Sequence, residues 1–335
     1  MKNCIINSYL NNMRLLKVGN ILIPKIKEKI KKKQKELNLK PIISPAGFLK
    51  IHKTGKHRYF SPCLTNKGKK VVFFARLHNN LDAKIKFKTD IEFLEKIRKK
   101  NFKIKKFVPE LINFGIEKDF EWLVRKYPEE PPLGTSRNIS REITQKTIEK
   151  IAKIVFEISK ISPQKLSIKL RKFDFKNYLP LKTYLKLVEE NLISKETAEN
   201  IGKMIKKNFP LLKKENSYFS HGDLNLGNIL SDGKNFWVID WELIRLNNFA
   251  YDIGYLWAHL WEAKREIRKK LMENYIKNLN SEKLEKFKKL LPIVASYISL
   301  GGILTKKKGE SFTKRRKFYK NLLENCLDFD KLIKV

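Results

Sequence analysis

The apolar and polar positions follow two different periods in the two parts of the chain. Short runs of strand-forming residues come first, in the order GFLKIHK, RYFSPCLT and KKVVFFARLH, separated by the turn signals TGK and NKGK. The next segment, TDIEFLEKIRKK, has Ile91, Leu94 and Ile97 at helical spacing, and ELINFGIEKDFEWLVRKY predicts two further strands. Residues 41–128 are therefore predicted to form a small β-rich domain with one helix.

Helical periodicity dominates from residue 129 onward. A Pro- and Gly-rich stretch, YPEEPPLGT at Tyr127 to Thr135, predicts a linker or hinge before the segments SREITQKTIEKIAKIVFEISKI and YLKLVEENLISKETAENIGKMIKKNF. Short strands interrupt the helices at 221–241, and DIGYLWAHLWEAKREI then predicts a helix. One buried stripe is expected on that helix at Ile253, Leu256, Trp257, Leu260 and Trp261. The fold class predicted for the chain is α+β, with a mainly helical second domain over residues 129–335.

Residues 1–40 form a basic N-terminal extension in this interpretation. Its segment KIKEKIKKKQKELNLK (Lys25 to Lys40) predicts a solvated helix, with an RNA or lipid contact or a frayed arm as alternatives. No run reaches the roughly 18 apolar residues of a membrane span. The longest candidate, LLPIVASYISLGGIL, is interrupted by Pro292, Gly301 and Gly302, and it predicts a buried core helix. The absence of a secretory pattern and three scattered cysteines favour the cytoplasm.

The formal net charge of +38 is the strongest compositional feature. Such a charge is typical of proteins with an anionic partner such as nucleic acid or a membrane surface. However, the basic residues are 60 lysines and only 13 arginines, and they are spread along the whole chain. Nucleic-acid readers rely on arginine for bidentate contacts, so a general compositional bias is the favoured explanation and nucleic-acid binding is the alternative.

The candidate chemistry lies in HGDLNLGNIL, at His221 to Leu230, and in FWVIDW after it. The joining segment SDGKN contains Asp-Gly, a strong hairpin signal. A hairpin would bring Asp223 and Asn228, which precede one strand, close to Asp240, which follows the other. An amide oxygen and a carboxylate suit Mg²⁺ bound with substrate phosphates, and Asp223 would be left to receive a proton from an attacking hydroxyl.

These segments resemble the catalytic and metal-binding segments of the aminoglycoside phosphotransferase and choline kinase family, whose members are small-molecule kinases. The resemblance covers about residues 41–300 and implies a bilobal protein-kinase-like fold, with a nucleotide-binding N-lobe over 41–128 and a C-lobe over 129–335. It implies Asp223 as the catalytic Asp and Asn228 and Asp240 as ligands of Mg²⁺. Asp252 would steady the catalytic loop, and ATP would bind between the lobes with its adenine against the linker near Arg125 to Tyr127.

The sequence departs from the family pattern at several positions. Leu226 stands where the family commonly has Pro. Arg76 replaces the strand Lys that reaches the nucleotide phosphates, and Asp90 replaces its helix Glu partner, with Glu92 as the alternative partner. The segment IHKTGKHRYF has a single Gly55 beside Lys56, so it predicts either a phosphate-cradling loop or a plain β-turn.

Other polar residues near the motif have competing interpretations. His221 is expected to brace the loop rather than to act as an acid or base. Asp252 has a purely structural alternative as a helix N-cap. Glu242 would assist the metal or face the substrate, with a solvated glutamate as the alternative. His259 and Glu262 lie off the apolar stripe of their helix and are candidates for the acceptor pocket.

The function predicted from the sequence is ATP-dependent phosphoryl transfer to a hydroxyl of a small molecule. One alternative is an atypical protein kinase, but Asn225 stands where such a kinase has Lys, and IDWE replaces DFG. A second alternative is a kinase-like nucleotide- or RNA-binding module with little activity, which Arg76 and the positive charge suggest.

Overall fold

A computed structural model describes residues 22–42, 48–51, 57–77, 81–135, 139, 143–175, 181–304 and 310–335. The chain divides into two compact units. The first comprises Met1–Glu95 and Pro109–Glu129, and the second comprises Lys96–Val108 and Glu130–Val335. An antiparallel sheet in the first unit and many helices in the second confirm the predicted α+β class.

The first unit is built on one antiparallel sheet. Its strands are β1 (Lys40–Pro41), β2 (Phe48–Ile51), β3 (His57–Leu64), β4 (Lys70–Leu77), β5 (Leu111–Ile116) and β6 (Phe120–Lys126). They pair in the order β1-β3-β4-β6-β5, and β2 also pairs with β3. Helices α1 (Leu22–Glu36) and α2 (Leu81–Lys99) accompany the sheet, and the last four residues of α2 belong to the second unit.

Alternation along β4 explains the core of the first unit. Val71, Phe73 and Ala75 are fully buried and pack in one cluster with Tyr59 of β3 and Trp122 of β6. Side chains at every second position of a strand share a face, so these residues define the core side of the sheet. Phe74, between Phe73 and Ala75 in the strand, stacks on Phe87 of α2 at 6.0 Å between ring centroids. The sheet is therefore covered by apolar contacts on both faces.

Helix α1 packs on this sheet, and the prediction of a solvated helix was wrong. Ile30 is fully buried within the core cluster, and Gln34 is 2% exposed. The Gln34 side chain accepts a hydrogen bond from Tyr59 Oη at 2.9 Å and donates one to Cys63 Sγ at 3.3 Å. Exposed lysines cover the outer face of α1, at Lys29, Lys31, Lys32 and Lys35. Because lysine is so frequent here, the average composition of the segment conceals its apolar inner face.

The second unit is mainly helical. Its helices are α3 (Gln145–Ser159), α4 (Pro163–Leu166), α5 (Leu181–Glu189), α6 (Lys195–Glu215), α7 (Tyr251–His259), α8 (Arg265–Ile276), α9 (Ser281–Ile303), α10 (Glu310–Asn325) and α11 (Phe329–Leu332). In the part of this unit that the structure describes, two short antiparallel strand pairs lie among the helices. One joins β7 (Tyr218–Ser220) to β10 (Arg245–Asn247), and the other joins β8 (Ile229–Ser231) to β9 (Phe236–Val238).

Helix α9 supplies much of the core of the second unit, as its apolar segment predicts. Leu290, Leu291, Ile293 and Val294 are fully buried, and Tyr184 of α5 donates a hydrogen bond to Ser296 Oγ on the same helix. Among the described residues, no helix combines the length and the hydropathy that crossing a bilayer requires.

Two segments of the second unit differ from their predictions. The predicted linker pairs with the hairpin, because Leu133 N donates to Ile229 O and Ser231 N donates to Pro131 O, both at 2.9 Å. The helix predicted from Asp252 to Ile267 is broken after His259 into α7 and α8. The Arg268 guanidinium donates to the carbonyl oxygens of Leu260 and Ala263, so it satisfies groups that the break leaves outside a helix.

We predict that Ile30→Ala destabilises the protein by about 2 to 4 kcal/mol, the usual cost of emptying a buried aliphatic site. Equilibrium denaturation by urea measures the free energy of unfolding. The control is Lys32→Ala, an exposed position on the same helix, which is expected to change stability by less than about 0.5 kcal/mol. Equal effects of the two substitutions would show that α1 does not pack on the sheet.

Candidate active site

The HGD segment begins where β7 ends, and β7 is fixed by its partner β10. Ser220, the last residue of β7, is in register with Arg245, the first residue of β10. Both strands lie in the second unit, as do all of the residues that follow in the loop. The path of the loop is therefore set at its start by a two-stranded ribbon.

The Asp252 carboxylate holds the first turn of this loop. Its Oδ1 accepts from Ser220 Oγ at 2.8 Å and from Gly222 N at 3.2 Å, and its Oδ2 accepts from His221 N at 2.8 Å. Asp252 is only 5% exposed, and a buried carboxylate requires such donors. It lies inside the first turn of α7, whose N-cap is Ala250, so the N-cap alternative for Asp252 was wrong.

Gly222 is required by the close approach of a neighbouring chain segment. It adopts a φ of +82°, and a Cβ at this position would lie 2.2 Å from Leu243 O. Its own carbonyl oxygen accepts from Arg245 Nη2 at 3.0 Å. The Arg245 guanidinium lies 4.5 Å from the ring centroid of Phe173 and 5.1 Å from that of Tyr251, so the cation is packed against both aromatic rings.

His221 connects the loop to the strand that precedes Asp240. Its ring is fully buried, with Nε2 3.1 Å from Ile239 O and Nδ1 3.4 Å from Asp223 N. A carbonyl oxygen only accepts and a backbone N–H only donates, so both contacts fit the tautomer that carries its proton on Nε2. This geometry supports the brace interpretation of His221.

Asp223 and Asn228 lie in direct contact. Asn228 Nδ2 donates to Asp223 O at 2.8 Å, with Asp223 Oδ2 at 3.4 Å. The neighbouring Asn225 uses its whole amide within the loop, donating to Asp223 Oδ1 at 3.2 Å and accepting from Gly227 N at 2.9 Å. Because Nδ2 of Asn228 is engaged by Asp223, the oxygen Oδ1 is the atom with which Asn228 could bind a cation.

The predicted hairpin is confirmed and brings Asp240 to this end of the ribbon. Ile229 pairs with Val238, and Ile239 N donates to Asn228 O at 3.0 Å. Ile239 is thus fixed from both sides, by Asn228 and by His221, immediately before Asp240. Asp240 itself adopts a left-handed conformation with φ 67° and ψ 59°, which is uncommon for a residue other than Gly. Residues with such strained backbone conformations often lie at functional sites.

The oxygen atoms near the end of the hairpin suit a hard divalent cation. Asn228 supplies an amide oxygen and Asp240 a carboxylate, and both side chains are half-buried, which leaves them partly accessible. Mg²⁺ needs only one or two protein ligands when phosphates and water complete its octahedron. Within the described ranges, no group of three or more His, Cys, Asp or Glu side chains is arranged to hold a metal, so an all-protein cage is not the kind of site found here.

The three residues proposed to contact substrate have different environments. Glu242 is 8% exposed within a short 3-10 turn after Asp240, so the solvated alternative for Glu242 was wrong. His259 ends α7, where its Nδ1 lies 2.8 Å from Tyr255 O and its ring lies 4.1 Å from that of Tyr255. Glu262 is exposed in the segment between α7 and α8. Their roles toward an acceptor remain predictions.

In the first unit, Arg76 is buried together with carboxylates. Arg76 is 2% exposed, and its register partner on β6 is Glu121, which is 6% exposed. The guanidinium lies 5.5 Å from the ring centroid of Phe87, one turn before Asp90 on the same face of α2. Asp90 is 8% exposed, whereas Glu92 pairs with Lys88 at 3.8 Å near the surface. This difference in burial favours Asp90 over Glu92 as the acidic partner of Arg76.

The remaining nucleotide candidates lie at the end of the sheet or outside the described residues. Arg125 is half-buried near the end of β6, and Tyr127 follows that strand and donates its backbone N–H to Lys70 O at 3.3 Å. Burial raises the pKa of the Tyr127 phenol. Gly55 and Lys56 lie outside the described residues.

Sequence reasoning missed Arg245, Tyr251 and Tyr255. Tyr251 Oη accepts from Arg245 Nη2 at 2.9 Å, and Tyr255 Oη donates to Asp223 Oδ1 at 2.8 Å. The spacing of Tyr251, Tyr255 and His259 at i, i+4 and i+8 places all three on one face of α7. That spacing was available in the sequence, next to the apolar stripe on which the helix prediction rested. Arg245 had no comparable signal, because its contacts come from loop and strand packing.

Comparison with known proteins identifies the fold and the family of this chain. The fold is that of the protein-kinase-like phosphotransferases, since solved structures of such enzymes cover nearly the whole chain. The sequence model of the phosphotransferase enzyme family, APH, matches residues 64–284, which is more than half of the chain. The chain therefore belongs to this family, and the resemblance stated from its motifs is confirmed. A search of curated proteins found no significant match.

Three solved structures illustrate the likeness in fold. APH(2")-IIia, in a complex with GDP and kanamycin, aligns with a TM-score of 0.56 at 14% identity and covers 91% of this chain and 98% of its own. The amicoumacin kinase hAmiN, with AMP-PNP, Ca²⁺ and Ami, aligns at 0.54 and 11%, with coverages of 90% and 96%. The macrolide 2'-phosphotransferase MphH from Brachybacterium faecium aligns at 0.53 and 12%, with coverages of 87% and 97%.

We predict that Gly222→Ala destabilises the protein by about 2 to 5 kcal/mol, because it combines a positive φ with overpacking against Leu243 O. The matched control is Gly233→Ala, since Gly233 has a φ of +94° but no atom within 4 Å of the position that a Cβ would occupy. The control is expected to cost only about 1 to 2 kcal/mol. Thermal and urea unfolding measure both, and equal losses would contradict the close approach at Gly222.

Proposed function

We propose that the protein is an ATP-dependent kinase that transfers the γ-phosphate to a hydroxyl of a small molecule. The observation that carries this proposal is the arrangement at the end of the hairpin. Asp223 is hydrogen-bonded to the Asn228 side chain, and Asn228 O accepts a hydrogen bond from Ile239 N, immediately before Asp240. Membership of the phosphotransferase enzyme family supports the reaction class.

Asp223 would act as the proton acceptor. The oxygen of the acceptor hydroxyl forms a bond to the γ-phosphorus as the bond from that phosphorus to the bridging oxygen of ADP breaks. The hydroxyl proton passes to the Asp223 carboxylate. Phosphoryl transfer has a loose transition state, so a carboxylate that orients the hydroxyl is sufficient and a strong base is unnecessary.

Asn228 and Asp240 would hold the divalent ion. When bound, Mg²⁺ would neutralise charge on the phosphate oxygens. The contribution of the chain is to present one amide oxygen and one carboxylate from neighbouring segments that hydrogen bonds already fix. The hydrogen bond from Ile239 N to Asn228 O ties the segment that carries Asp240 directly to Asn228.

The first unit would contribute nucleotide binding. Arg76 is proposed to bind phosphate in place of the family's Lys, with a planar, bidentate guanidinium instead of a point charge. Asp90 would compensate the buried cation. ATP is proposed as the donor, and solved structures of similar fold hold AMP-PNP in one case and GDP in another.

A small alcohol is proposed over a protein acceptor. The loop carries Asn225 where protein kinases carry Lys, and the amide of Asn225 is used entirely within the loop. The formal net charge of +38 would slow the encounter with polycationic acceptors by long-range repulsion. Neutral or anionic hydroxyl compounds are therefore the first acceptors to screen.

We predict that Asp223→Ala lowers Mg·ATP-dependent transfer by at least about 10² to 10³, because the acceptor hydroxyl loses its proton acceptor. The fold should remain intact, as judged by circular dichroism and thermal unfolding. The measurement is radiolabelled phosphate transfer in a metabolite screen, followed by kinetics with the best acceptor. Full turnover by Asp223→Ala would refute the assignment of Asp223.

We predict that Asp240→Asn raises the Mg²⁺ concentration for half-maximal activity by about 10- to 100-fold or more, the range that even outer-shell substitutions reach. Asn tolerates the left-handed backbone of Asp240, so the change removes charge with little backbone strain. Titration of activity with Mg²⁺ provides the measurement.

The matched control for this titration is Asp232→Asn. Asp232 lies in the exposed turn at the opposite end of the same hairpin, where its Oδ1 accepts from Lys234 N and Asn235 N. The control should show the Mg²⁺ dependence of the wild type. An unchanged dependence in Asp240→Asn would mean that Asp240 is not a ligand.

A further inference from the structure

Tyr255 touches the proposed catalytic carboxylate directly. Its Oη donates to Asp223 Oδ1 at 2.8 Å, the shortest hydrogen bond that this carboxylate accepts. The same oxygen also accepts from Asn225 Nδ2 at 3.2 Å. Among the residues that the structure describes, the other oxygen, Oδ2, accepts only from the Asn228 amide, at 3.4 Å, and that amide makes its better contact, at 2.8 Å, with Asp223 O.

The two carboxylate oxygens of Asp223 are therefore not equivalent. Two good donors occupy Oδ1, and a carboxylate oxygen offers about two lone-pair directions. Oδ2 retains the capacity to accept a hydroxyl. A carboxylate free to rotate would present either oxygen at variable angles, whereas a donor fixed at Oδ1 selects one orientation.

Two neighbouring rings of α7 pack against the phenol ring of Tyr255. Tyr255 stacks on Tyr251 at 5.8 Å between centroids with an interplanar angle of 21°, and its ring contacts the tilted ring of His259 at 4.1 Å. Tyr251 in turn contacts Phe173 at 5.5 Å and packs against Arg245. All of these residues belong to the second unit, so one column of rings extends from the end of α7 to the Arg245 guanidinium.

We propose that Tyr255 is a positioning residue that locks the Asp223 carboxylate so that Oδ2 receives the proton of the acceptor hydroxyl. This inference rests on the proposed function and adds the atom that accepts the proton and the group that selects it. The Tyr255 side chain does not react. Its hydroxyl keeps its proton and serves only as a donor.

The electrostatics of the site keep Tyr255 in this donor form. Burial, together with the negative charge of Asp223, raises the pKa of the Tyr255 phenol well above its usual range. A deprotonated phenol could not donate and would repel the carboxylate. The stacked geometry and the protonated phenol therefore act in the same direction.

The test uses water as the acceptor, so that no unidentified substrate is needed. Phosphate release from Mg·ATP is measured for the wild type, Tyr255→Phe, Asp223→Asn and the double variant, with single-turnover assays for the slow variants. Tyr255→Phe should lower kcat by about tenfold, because the loss of one hydrogen bond to a charged group changes a rate by about that factor. The KM for Mg·ATP should stay within about twofold of the wild-type value. In the Asp223→Asn background the same substitution should have little effect, since Tyr255 acts through Asp223.

The matched control is Tyr275→Phe. Tyr275 is fully buried and donates a hydrogen bond of the same length, 2.8 Å, to Phe249 O, away from Asp223. Its loss should lower the melting temperature and leave kcat unchanged. The inference is overturned if Tyr255→Phe keeps the kcat of the wild type, or if it lowers the rate equally with and without the Asp223 carboxylate.

A second readout separates this inference from the proposed function. In protein labelled with ¹³Cζ-tyrosine, the Tyr255 signal is assigned by its disappearance in Tyr255→Phe. It should shift in Asp223→Asn and stay in place in Asp232→Asn. A Tyr255 signal that ignores Asp223 overturns the inference even in a fully active enzyme. A wild type that neither releases nor transfers phosphate from Mg·ATP overturns the proposed function, whatever the spectrum shows.

Discussion

The structure of the site depends on one buried carboxylate. Asp252 accepts hydrogen bonds from the Ser220 hydroxyl and from two consecutive backbone N–H groups, those of His221 and Gly222. Hydrogen bonds to a charged group contribute about 1.5 to 3 kcal/mol each, and an unpaired buried carboxylate would be strongly unfavourable. These bonds therefore hold the first turn of the loop against the first turn of α7.

The rest of the site follows from this fixed turn. Once His221 is in place, its ring contacts Ile239 O, and Ile239 N in turn donates a hydrogen bond to Asn228 O. These two contacts hold Asp240 beside the loop, although it is distant from Asp223 along the chain. The helix that carries Asp252 also carries Tyr255 one turn later, so the residue that anchors the loop and the residue that orients Asp223 belong to one rigid element. We regard this shared helix as the reason why the residues of the proposed site are preorganised.

Much of this could be predicted from the sequence, and what could be predicted has a physical reason. Asp-Gly is a hairpin signal, so the proximity of Asn228 and Asp240 followed from local turn chemistry. The buried stripe of Ile253, Leu256 and Trp257 on α7 followed from helical periodicity, although Leu260 and Trp261 of the predicted stripe lie beyond the end of the helix. The burial of α9 followed from its long apolar run. In contrast, the contacts of Arg245 and Tyr255 depend on how separate segments meet, which no local pattern encodes.

The buried face of α1 was missed because most positions around Ile30 are polar, and the average composition concealed it. The break after His259 was missed because the apolar spacing continues through it, while Arg268 stabilises the break from a distance in sequence.

The central claim is that Asn228 and Asp240 hold a divalent ion while Asp223 stays free to receive a proton. A crystal structure with Mn²⁺ and a non-hydrolysable ATP analogue tests this most directly, because the anomalous signal of manganese locates the ion independently of the chain. The account predicts an ion about 2.1 Å from Asn228 Oδ1 and from one Asp240 oxygen, with phosphate oxygens completing the octahedron. It also predicts that Asp223 Oδ2 makes no bond to the metal. An ion bound elsewhere, or one coordinated by Asp223 in place of Asp240, would contradict the account.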